Sequence, residues 1–332
     1  MQSTAVGQSK LKVSVLGLGT WPFAADGFWG EQDEKDSLAT IRAALDLGIT
    51  LIDSAEGYGA GRSEEIVGRA LKGLREKAVI ATKVSAANLG KADLIAACER
   101  SLLRLQTDTI DLYQLHWPNP TIPIDETMEA LSRLVADGKV RNVGCCNFGV
   151  RDLNRGTASG AGVVSNQLPY SLLWRAIEAR IMPECTRRKM AILVYSPLGN
   201  GLLSGKYRTA RDVPAGRTTT RLFSGARANS RHGEAGLESE TFETIAAIRN
   251  ISEETAIPMP TLAIAWALNR PNIASVLVGA RTPRQLEDLV KAAELKLPAG
   301  VEAELARVTE SLKQRIGDNA DLWEGRDKSR IV

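Results

Sequence analysis

Short apolar runs alternate with amphipathic stretches along most of this 332-residue chain. Eight of the runs are interpreted as strands buried on both faces, because most of them lack the two-residue alternation of a half-exposed strand. These runs are residues 15–19, 50–53, 79–83, 110–116, 140–145, 163–167, 191–196 and 275–279. The pattern predicts a parallel sheet whose strands are covered by helices.

The stretches between these strands carry apolar residues at helical spacing. Residues 36–47, 93–105 and 126–135 each gather apolar side chains on one face, which predicts amphipathic helices. Ser63, followed by two glutamates, is interpreted as the N-cap of a further helix with acids in its first turn. About eight β-then-α units result. This number predicts an α/β protein with a closed (β/α)8 TIM barrel that spans residues 1–332 as one domain.

An open, doubly wound α/β sheet is the alternative architecture. The first strand–helix turn of such a sheet typically carries a dinucleotide fingerprint with three glycines. The corresponding segment here, Gly17-Leu-Gly-Thr-Trp21, lacks the third glycine. The barrel is therefore the favoured fold.

Three segments lie outside the repeating pattern. A short hairpin, roughly residues 5–12, is expected before the first barrel strand. Residues 200–238 form a long polar loop after the seventh strand, and loops of this length inside a compact domain are usually functional. A C-terminal helix is followed by a polar tail, residues 315–332, around one large apolar side chain, Trp323. Trp323 either reaches a pocket or anchors the tail.

Composition narrows the classes of function. An apolar fraction of 44% and a charged fraction of 24% are ordinary for a soluble globular protein. The net charge of +3 gives no reason to expect nucleic acid or a membrane surface as a partner. Two histidines and four cysteines without CxxC spacing give no reason to expect a bound metal. No signal peptide is recognised, and no apolar run approaches the roughly 18 residues of a membrane span. A reducing, cytoplasmic location is expected.

Four polar residues stand at or just after predicted strand ends. Asp53, Lys83 and His116 close three strands, and Tyr58 lies in the loop that follows the first of them. The carboxyl ends of barrel strands converge on one catalytic face, so these side chains are expected to share a site. An acid, a phenol, an amine and an imidazole together suit chemistry that donates a proton to a carbonyl oxygen.

The motifs around these residues resemble the aldo-keto reductase superfamily, from about residue 11 to about residue 293. The ordered set carries the resemblance, since each motif alone is weak evidence. The motifs are Gly17-Leu-Gly-Thr-Trp21, Ile52-Asp-Ser-Ala-Glu-Gly-Tyr-Gly59, Thr82-Lys83, Asp111-Leu-Tyr-Gln-Leu-His-Trp117, Gly144-Cys-Cys-Asn-Phe148, Asn166-Gln-Leu-Pro-Tyr170, Tyr195-Ser-Pro-Leu-Gly-Asn-Gly201 and Gly279-Ala-Arg281. The resemblance implies NAD(P)H-dependent, reversible reduction of aldehydes or ketones.

The resemblance also implies a role for each of the four polar residues. Tyr58 is expected to donate the proton, although a free tyrosine, with a pKa near 10, is a sluggish acid at neutral pH. Lys83 is expected to favour the phenolate and so to lower the pKa of Tyr58. Asp53 is expected to hold Lys83 charged and in place. His116 is expected to donate a hydrogen bond to the carbonyl oxygen or to relay a proton.

The same match assigns a cofactor site for NADPH or NADP+, with NADH as an alternative. Asn147 and Gln167 resemble the amides that hold the nicotinamide carboxamide, and Tyr195 resembles the aromatic residue that stacks on the ring. Arg281 is expected to pair with a ribose 2′-phosphate, since a guanidinium suits phosphate geometry. The residues assigned to the cofactor are Thr20, Trp21, Asp53, Cys146, Asn147, Gln167, Tyr195, Ser196, Pro197, Leu198, Gly199, Asn200, Gly201, Lys206, Arg217, Gly279, Arg281, Gln285 and Asp288.

Two positions depart from the family pattern. Cys146 stands where many relatives have serine, and a thiol is a poorer hydrogen-bond donor. Leu289 stands where many relatives have asparagine, which removes one contact expected for the adenine. Both departures bear on how strongly the site prefers NADPH.

Aromatic residues on the predicted catalytic face outline a substrate pocket. Indole walls suit apolar, aromatic or sugar-like carbonyl compounds. The residues assigned to the substrate are Trp21, Trp29, Tyr58, His116, Trp117 and Phe148. The expected partner is a small carbonyl or alcohol, and the sequence carries no signal of the oligomeric state.

Two other functions stay open. One is a cofactor-binding regulatory subunit that resembles the β subunits of potassium channels, which share the fold and the four polar residues. The other is a barrel with another chemistry, such as a lyase, which needs a metal or phosphate site that the sequence does not reveal. Within the long loop, the basic residues from Arg221 to Arg231 suit either a mobile, solvated segment or a lid over the pyrophosphate of the cofactor.

Overall fold

The computed structural model of the protein describes residues 1–156 and 162–332. Eight parallel strands form a closed barrel. They are β3 (Leu16–Gly19), β4 (Leu51–Asp53), β5 (Val79–Val84), β6 (Leu112–Leu115), β7 (Val143–Cys146), β8 (Val163–Pro169), β9 (Ala191–Tyr195) and β10 (Ile273–Val278). The predicted (β/α)8 barrel is confirmed, and the open sheet is wrong because β10 pairs with both β3 and β9.

Helices surround the barrel. In the described part of the chain they are α1 (Glu34–Asp46), α2 (Arg62–Ala70), α3 (Lys91–Leu105), α4 (Ile124–Ala136), α5 (Val150–Gly156), α6 (Ile181–Arg187), α7 (Glu238–Thr255), α8 (Met259–Leu268), α9 (Pro283–Val290) and α10 (Ala299–Ile316). The three helices predicted from apolar spacing correspond to α1, α3 and α4, within two residues at each end. None of the described helices is both long and apolar enough to cross a bilayer.

The predicted N-terminal hairpin closes one end of the barrel. Strands β1 (Ser3–Ala5) and β2 (Lys12–Ser14) pair antiparallel. Val6 and Val13 are fully buried, and they cluster with apolar residues that point into the barrel. This end of the barrel interior is therefore an apolar plug, which leaves the opposite end, at the carboxyl ends of the strands, for polar groups.

Strands β6 and β7 begin two and three residues later than the sequence predicts, and β3 and β4 begin one residue later. Ile110 and Val140 form only an isolated bridge, and continuous pairing begins at Leu112 and Val143. Three strands run one or two residues further than predicted, namely β5 to Val84, β7 to Cys146 and β8 to Pro169.

The prediction that Ser63 caps a helix is wrong. Helix α2 begins after Gly61, whose φ of 98° suits glycine, and no side chain caps its N-terminus. Ser63 lies inside the helix, and its hydroxyl donates to the backbone oxygen of Thr20 at 2.9 Å. The serine therefore ties α2 to the loop that follows β3.

The long loop is anchored to the C-terminal tail rather than solvated throughout. Arg221 is buried, pairs with Glu234 at 2.9 Å and donates to the backbone oxygen of Asn319 at 3.0 Å. Arg227 donates to both carboxylate oxygens of Glu238, at 2.6 and 2.8 Å. These contacts fix the loop beside the carboxyl ends of the strands.

Candidate active site

A cavity of about 850 Å³ opens at the carboxyl ends of the barrel strands. It runs from Trp117 and Trp323 at one end to Arg281 and Asp288 at the other. Most residues assigned from the sequence line it, namely Trp21, Trp29, Asp53, Tyr58, His116, Trp117, Cys146, Asn147, Gln167, Tyr195, Ser196, Pro197, Leu198, Asn200, Gly201, Lys206, Arg217, Gly279, Arg281, Gln285 and Asp288. The structure thus brings Asp53, Tyr58, His116 and most of the assigned cofactor residues to one groove, with Lys83 in contact with Tyr58.

Lys83 is the centre of the polar cluster. Its ammonium is fully buried and donates to Asp53 Oδ1 at 2.6 Å, to the backbone oxygen of Ser54 at 2.8 Å and to the Tyr58 hydroxyl at 3.2 Å. An ammonium has three N–H donors, so each of them has a partner. Lys83 therefore lies beneath the cavity and acts on it through Tyr58.

The second carboxylate oxygen of Asp53 is held by two amides. Gln167 Nε2 donates to Asp53 Oδ2 at 2.9 Å, and Gln114 Nε2 donates to the same oxygen at 3.2 Å. Gln114 was not identified from the sequence. It lies two residues before His116, and a polar residue inside a buried strand is the signal that points to it.

Tyr58 is positioned by an aromatic stack. Its ring stacks on Trp21 with centroids 5.7 Å apart, and Trp21 stacks on Phe28 at 4.7 Å. Asp26 fixes this stack, because it accepts the Trp21 Nε1–H at 2.6 Å and the backbone N–H of Trp29 at 3.0 Å. Asp26 and Phe28 were missed from the sequence.

Lys83 acts to lower the pKa of Tyr58, as expected, but burial has the larger and opposite effect. Burial raises the pKa of Tyr58 to about 12, which outweighs the opposing effect of the Lys83 charge. Burial also disfavours the Lys83 ammonium, but the Asp53 carboxylate outweighs it and holds the pKa of Lys83 above its usual value. The phenol is therefore protonated and the amine charged at neutral pH.

His116 is a neutral imidazole. Burial, and then the charges of Lys83 and Arg330, lower its pKa to about 3. Its ring lies edge-on to Tyr58, with centroids 5.7 Å apart. Asn147 Nδ2 donates to the backbone oxygen of His116 at 3.1 Å, which fixes the end of β6. A neutral imidazole has one N–H, so the His116 ring can donate one hydrogen bond and carries no charge.

We expect His116 to stay neutral across the physiological range. The chain has only two histidines, so a His232→Gln variant leaves a single imidazole to follow by NMR. The His116 resonances should show no inflection between pH 5 and pH 9, because its lowered pKa places protonation at far lower pH. An inflection between pH 6 and pH 8 would contradict this electrostatic account.

The residues assigned to the nicotinamide form a continuous polar chain. Tyr195 donates to Asn147 Oδ1 at 2.8 Å, and Asn147 Nδ2 lies 3.2 Å from Cys146 Sγ. The Cys146 thiol lies 3.8 Å from Gln167 Oε1 and donates to it. Since Gln167 in turn contacts Asp53, this chain links the groove wall to the lysine–tyrosine pair.

The segment after β9 bends around the middle of the groove. Ser196, Gly199, Asn200 and Gly201 all have positive φ, and all of them except Gly199 line the cavity. Ser196 donates to Asn200 Oδ1 at 2.9 Å and closes the turn.

Arginines dominate the far end of the groove. Arg217 lies over the Trp29 ring at 5.0 Å. Arg281 donates to Gln32 Oε1 at 2.6 Å and to the backbone oxygens of Trp29 and Glu31. The loop between β3 and α1 thus spans the groove and contacts both cations.

Four assigned residues do not line the cavity. Thr20 is buried and donates to the backbone oxygen of Asp53 at 2.9 Å, and Lys83 lies below Tyr58. Gly199 lies against the Leu173 side chain. Phe148 is buried in the core near Gly156, with its backbone held by Asn166, so the structure does not place it in a substrate pocket.

The C-terminal tail contributes part of the cavity wall, and the sequence indicated only Trp323 as a candidate for it. Trp323 reaches the cavity, and its ring meets Trp117 edge-on with centroids 6.0 Å apart. Arg330, which was missed, lies over Trp117 at 3.7 Å.

No metal-binding group of three or more His, Cys, Asp or Glu residues occurs in residues 1–156 and 162–332.

The fold and the site define a (β/α)8 barrel with a buried lysine–tyrosine pair beneath a cation-rich groove. The aldo/keto reductase family model matches residues 15–310. The chain is 37% identical over 304 residues to the aldo-keto reductase YhdN of Bacillus subtilis, covering 87% of this chain and 88% of that protein. It is 32% identical to the NADH-specific methylglyoxal reductase of Escherichia coli, covering 95% and 100%.

A solved structure agrees with these relatives. The aldo-keto reductase from Klebsiella pneumoniae in complex with NADPH superposes with a TM-score of 0.75 at 29% identity, covering 93% of this chain and 96% of that one. The protein therefore belongs to the aldo/keto reductase family.

Proposed function

We propose that this protein reduces the carbonyl group of a small aldehyde or ketone to an alcohol with NADPH, with NADH as an alternative cofactor. One observation carries the proposal. The buried Lys83 ammonium donates to Asp53, to Ser54 and to the Tyr58 hydroxyl, which faces the cavity. A phenol held by a buried cation is a positioned proton donor.

The residues along the groove fit a dinucleotide. Trp29 Nε1 and Arg217 Nε are buried without a hydrogen-bond partner in the described residues, so the groove offers unused donors. Lys206, Arg217 and Arg281 supply cations along its length, as the phosphates of NADPH need. The relative in complex with NADPH supports the same assignment.

Each polar residue then has a chemical task. NADPH, when bound, supplies the hydride to the carbonyl carbon. Tyr58 donates its proton to the carbonyl oxygen, and the Lys83 charge stabilises the phenolate that remains. Asp53 keeps Lys83 charged, and His116 donates a hydrogen bond to the same oxygen. The Trp21 ring covers one face of the Tyr58 ring and is itself stacked on Phe28, which holds the phenol in place.

The aromatic walls indicate the kind of substrate. The cavity is lined by Trp21, Trp29, Trp117 and Trp323, which suits an apolar, aromatic or sugar-like carbonyl compound.

We also propose a cytoplasmic location, supported by four buried and unpaired cysteines.

The test is consumption of NADPH and, separately, NADH against aldehydes, ketones and keto sugars. Turnover that is higher with NADPH and disappears in a Tyr58→Phe variant supports the proposal. Tight NADPH binding without Tyr58-dependent turnover on any compound would instead favour the regulatory subunit.

We expect Arg281→Ala to weaken NADPH binding about 10- to 100-fold more than NADH binding. A hydrogen bond between charged groups contributes about 1.5–3 kcal/mol, and only NADPH carries the 2′-phosphate. Arg281 also contacts the loop at residues 29–32, so its loss weakens both cofactors to some degree. The ratio of the two dissociation constants, measured by fluorescence titration, isolates the phosphate contact.

The matched control is Arg284→Ala, since Arg284 is an exposed arginine in the first turn of α9, three residues after Arg281. It should leave the ratio of the dissociation constants within about twofold of the wild-type value. Equal weakening of NADPH and NADH by Arg281→Ala would show that Arg281 acts only through the loop.

A further inference from the structure

A cation from the C-terminal tail lies beside the catalytic residues, outside the assigned cofactor positions. The Arg330 guanidinium lies over the Trp117 ring at 3.7 Å, and Trp117 directly follows His116. Arg330 also lies 5.9 Å from the Trp323 ring, and all three side chains line the cavity. Two indoles and one guanidinium thus form the wall at the end of the cavity away from the cofactor phosphates.

The position of Arg330 is fixed by a buried carboxylate. Its Nε and Nη2 donate to the two oxygens of Asp321, each at 2.8 Å. Asp321 is fully buried and also accepts the backbone N–H groups of Trp323, Glu324 and Arg330. A guanidinium held by two parallel hydrogen bonds is rigid, so its remaining donors have a defined direction.

One edge of the guanidinium is unused. Nη1 of Arg330 has no hydrogen-bond partner within the described ranges, and the side chain is 32% exposed. Asp321 itself does not line the cavity, so it leaves this edge open to a bound molecule. A guanidinium edge in a partly desolvated, indole-lined pocket favours an anionic acceptor.

The acidic residues that line the cavity do not compete for this edge. Asp53 is paired with Lys83, and Asp26 accepts the Trp21 indole N–H and backbone amides. Asp288 pairs with Lys291 near the opposite end. Arg231, the other cation near the tail, is paired with Glu324 at 3.4 Å. A single open guanidinium edge suits a carboxylate, whereas a phosphate dianion needs a second free cation.

We propose that Arg330 binds a carboxylate on the substrate, so that the preferred substrates are aldehydes or ketones that carry a carboxylate on a flat or short body. This inference rests on the proposed reductase function and deepens it. Trp117 and Trp323 then hold the body of the substrate while its carbonyl group faces Tyr58 and His116. Arg330 is a specificity-determining residue and takes no part in proton transfer.

The experiment compares 4-formylbenzoate with its methyl ester. Both carry the same aldehyde on the same ring and differ in charge. The wild-type protein should favour the acid in kcat/KM, mostly through a lower KM. In Arg330→Met, the acid-to-ester ratio of kcat/KM should fall about 10- to 100-fold, the range for a hydrogen bond between charged groups.

Two further variants sharpen the result. Arg330→Lys keeps the charge beside Asp321 but loses the planar fork, so it should give an intermediate ratio. Arg231→Met removes an arginine from the same cavity and should keep the wild-type ratio. Should the methionine variant at position 330 fail to fold, the wild-type ratio alone still decides, because a value at or below one overturns the proposal.

The failure of this inference is distinguishable from failure of the reductase function. If both aldehydes are reduced in a Tyr58-dependent way but with the same acid-to-ester ratio in wild type and Arg330→Met, only the role of Arg330 is wrong. If neither these aldehydes nor any other panel compound is reduced, the reductase proposal fails and the role of Arg330 fails with it.

Discussion

Replacement of Tyr58 by phenylalanine should lower the rate of carbonyl reduction by about 100-fold or more, the scale of general acid catalysis. The phenol hydroxyl is the only part of Tyr58 that phenylalanine lacks, so the ring stack with Trp21 is retained. NADPH affinity should stay within about threefold of the wild-type value, because the hydroxyl contacts Lys83 rather than the phosphate end of the groove. Steady-state rates and fluorescence titration measure the two effects separately.

Tyr207→Phe is the matched control for this variant. Tyr207 is a buried tyrosine of the long loop whose hydroxyl accepts from Arg217 at 3.3 Å. Tyr207→Phe also removes one phenol hydroxyl, but at a position away from Tyr58. It should therefore reduce turnover far less than Tyr58→Phe. Equal turnover in Tyr58→Phe and wild type would exclude Tyr58 as the acid.

Replacement of Lys83 by methionine should destabilise the protein by about 3–5 kcal/mol and abolish measurable turnover. Asp53 is only 2% exposed, so removal of Lys83 leaves a buried carboxylate without its cation. The Tyr58 hydroxyl also loses its nearest charged partner, and the phenolate formed on proton transfer loses its stabilisation. Urea denaturation gives the free energy of unfolding.

The double variant Asp53→Asn/Lys83→Met is the control for the unpaired charge. It removes both charges together, so it should be more stable than Lys83→Met alone. Turnover should stay absent, because the cation beside Tyr58 is still missing. A double variant less stable than Lys83→Met would show that the loss comes from packing rather than from the buried charge.

The architecture was predictable because barrel strands have a simple chemical pattern. Runs such as residues 79–83 are apolar on both faces and end in a polar residue, and in the closed barrel these ends meet around one cavity. That geometry alone places Asp53, His116 and the Tyr58 loop together. Strand bounds were less predictable, because Ile110 and Val140 are apolar yet make only an isolated bridge.

The side-chain contacts that hold the site residues in place were harder to predict from the sequence than the barrel itself. Asp26 and Arg330 lie in a loop and in a tail, where no periodic pattern indicates the direction of a side chain. Gln114 lies in β6, two residues before His116, so the alternation along this strand was available as a signal. The pKa of Tyr58 depends on how deeply the phenol is buried, and the residue types show only that Lys83 is near. The burial of this phenol depends on how the cavity folds around it, so the raised pKa of Tyr58 could not be predicted from the sequence.

In the proposed reaction, hydride from NADPH and a proton from Tyr58 reach a carbonyl group in this cavity. The most direct measurement uses NADPH that carries deuterium at nicotinamide C4, with mass spectrometry of the alcohol formed from 4-formylbenzoate or another panel aldehyde. We expect deuterium on the former carbonyl carbon with the wild-type protein, and formation of the deuterated alcohol at no more than about one hundredth of that rate with Tyr58→Phe. Tight NADPH binding with no deuterated alcohol from any aldehyde would contradict it.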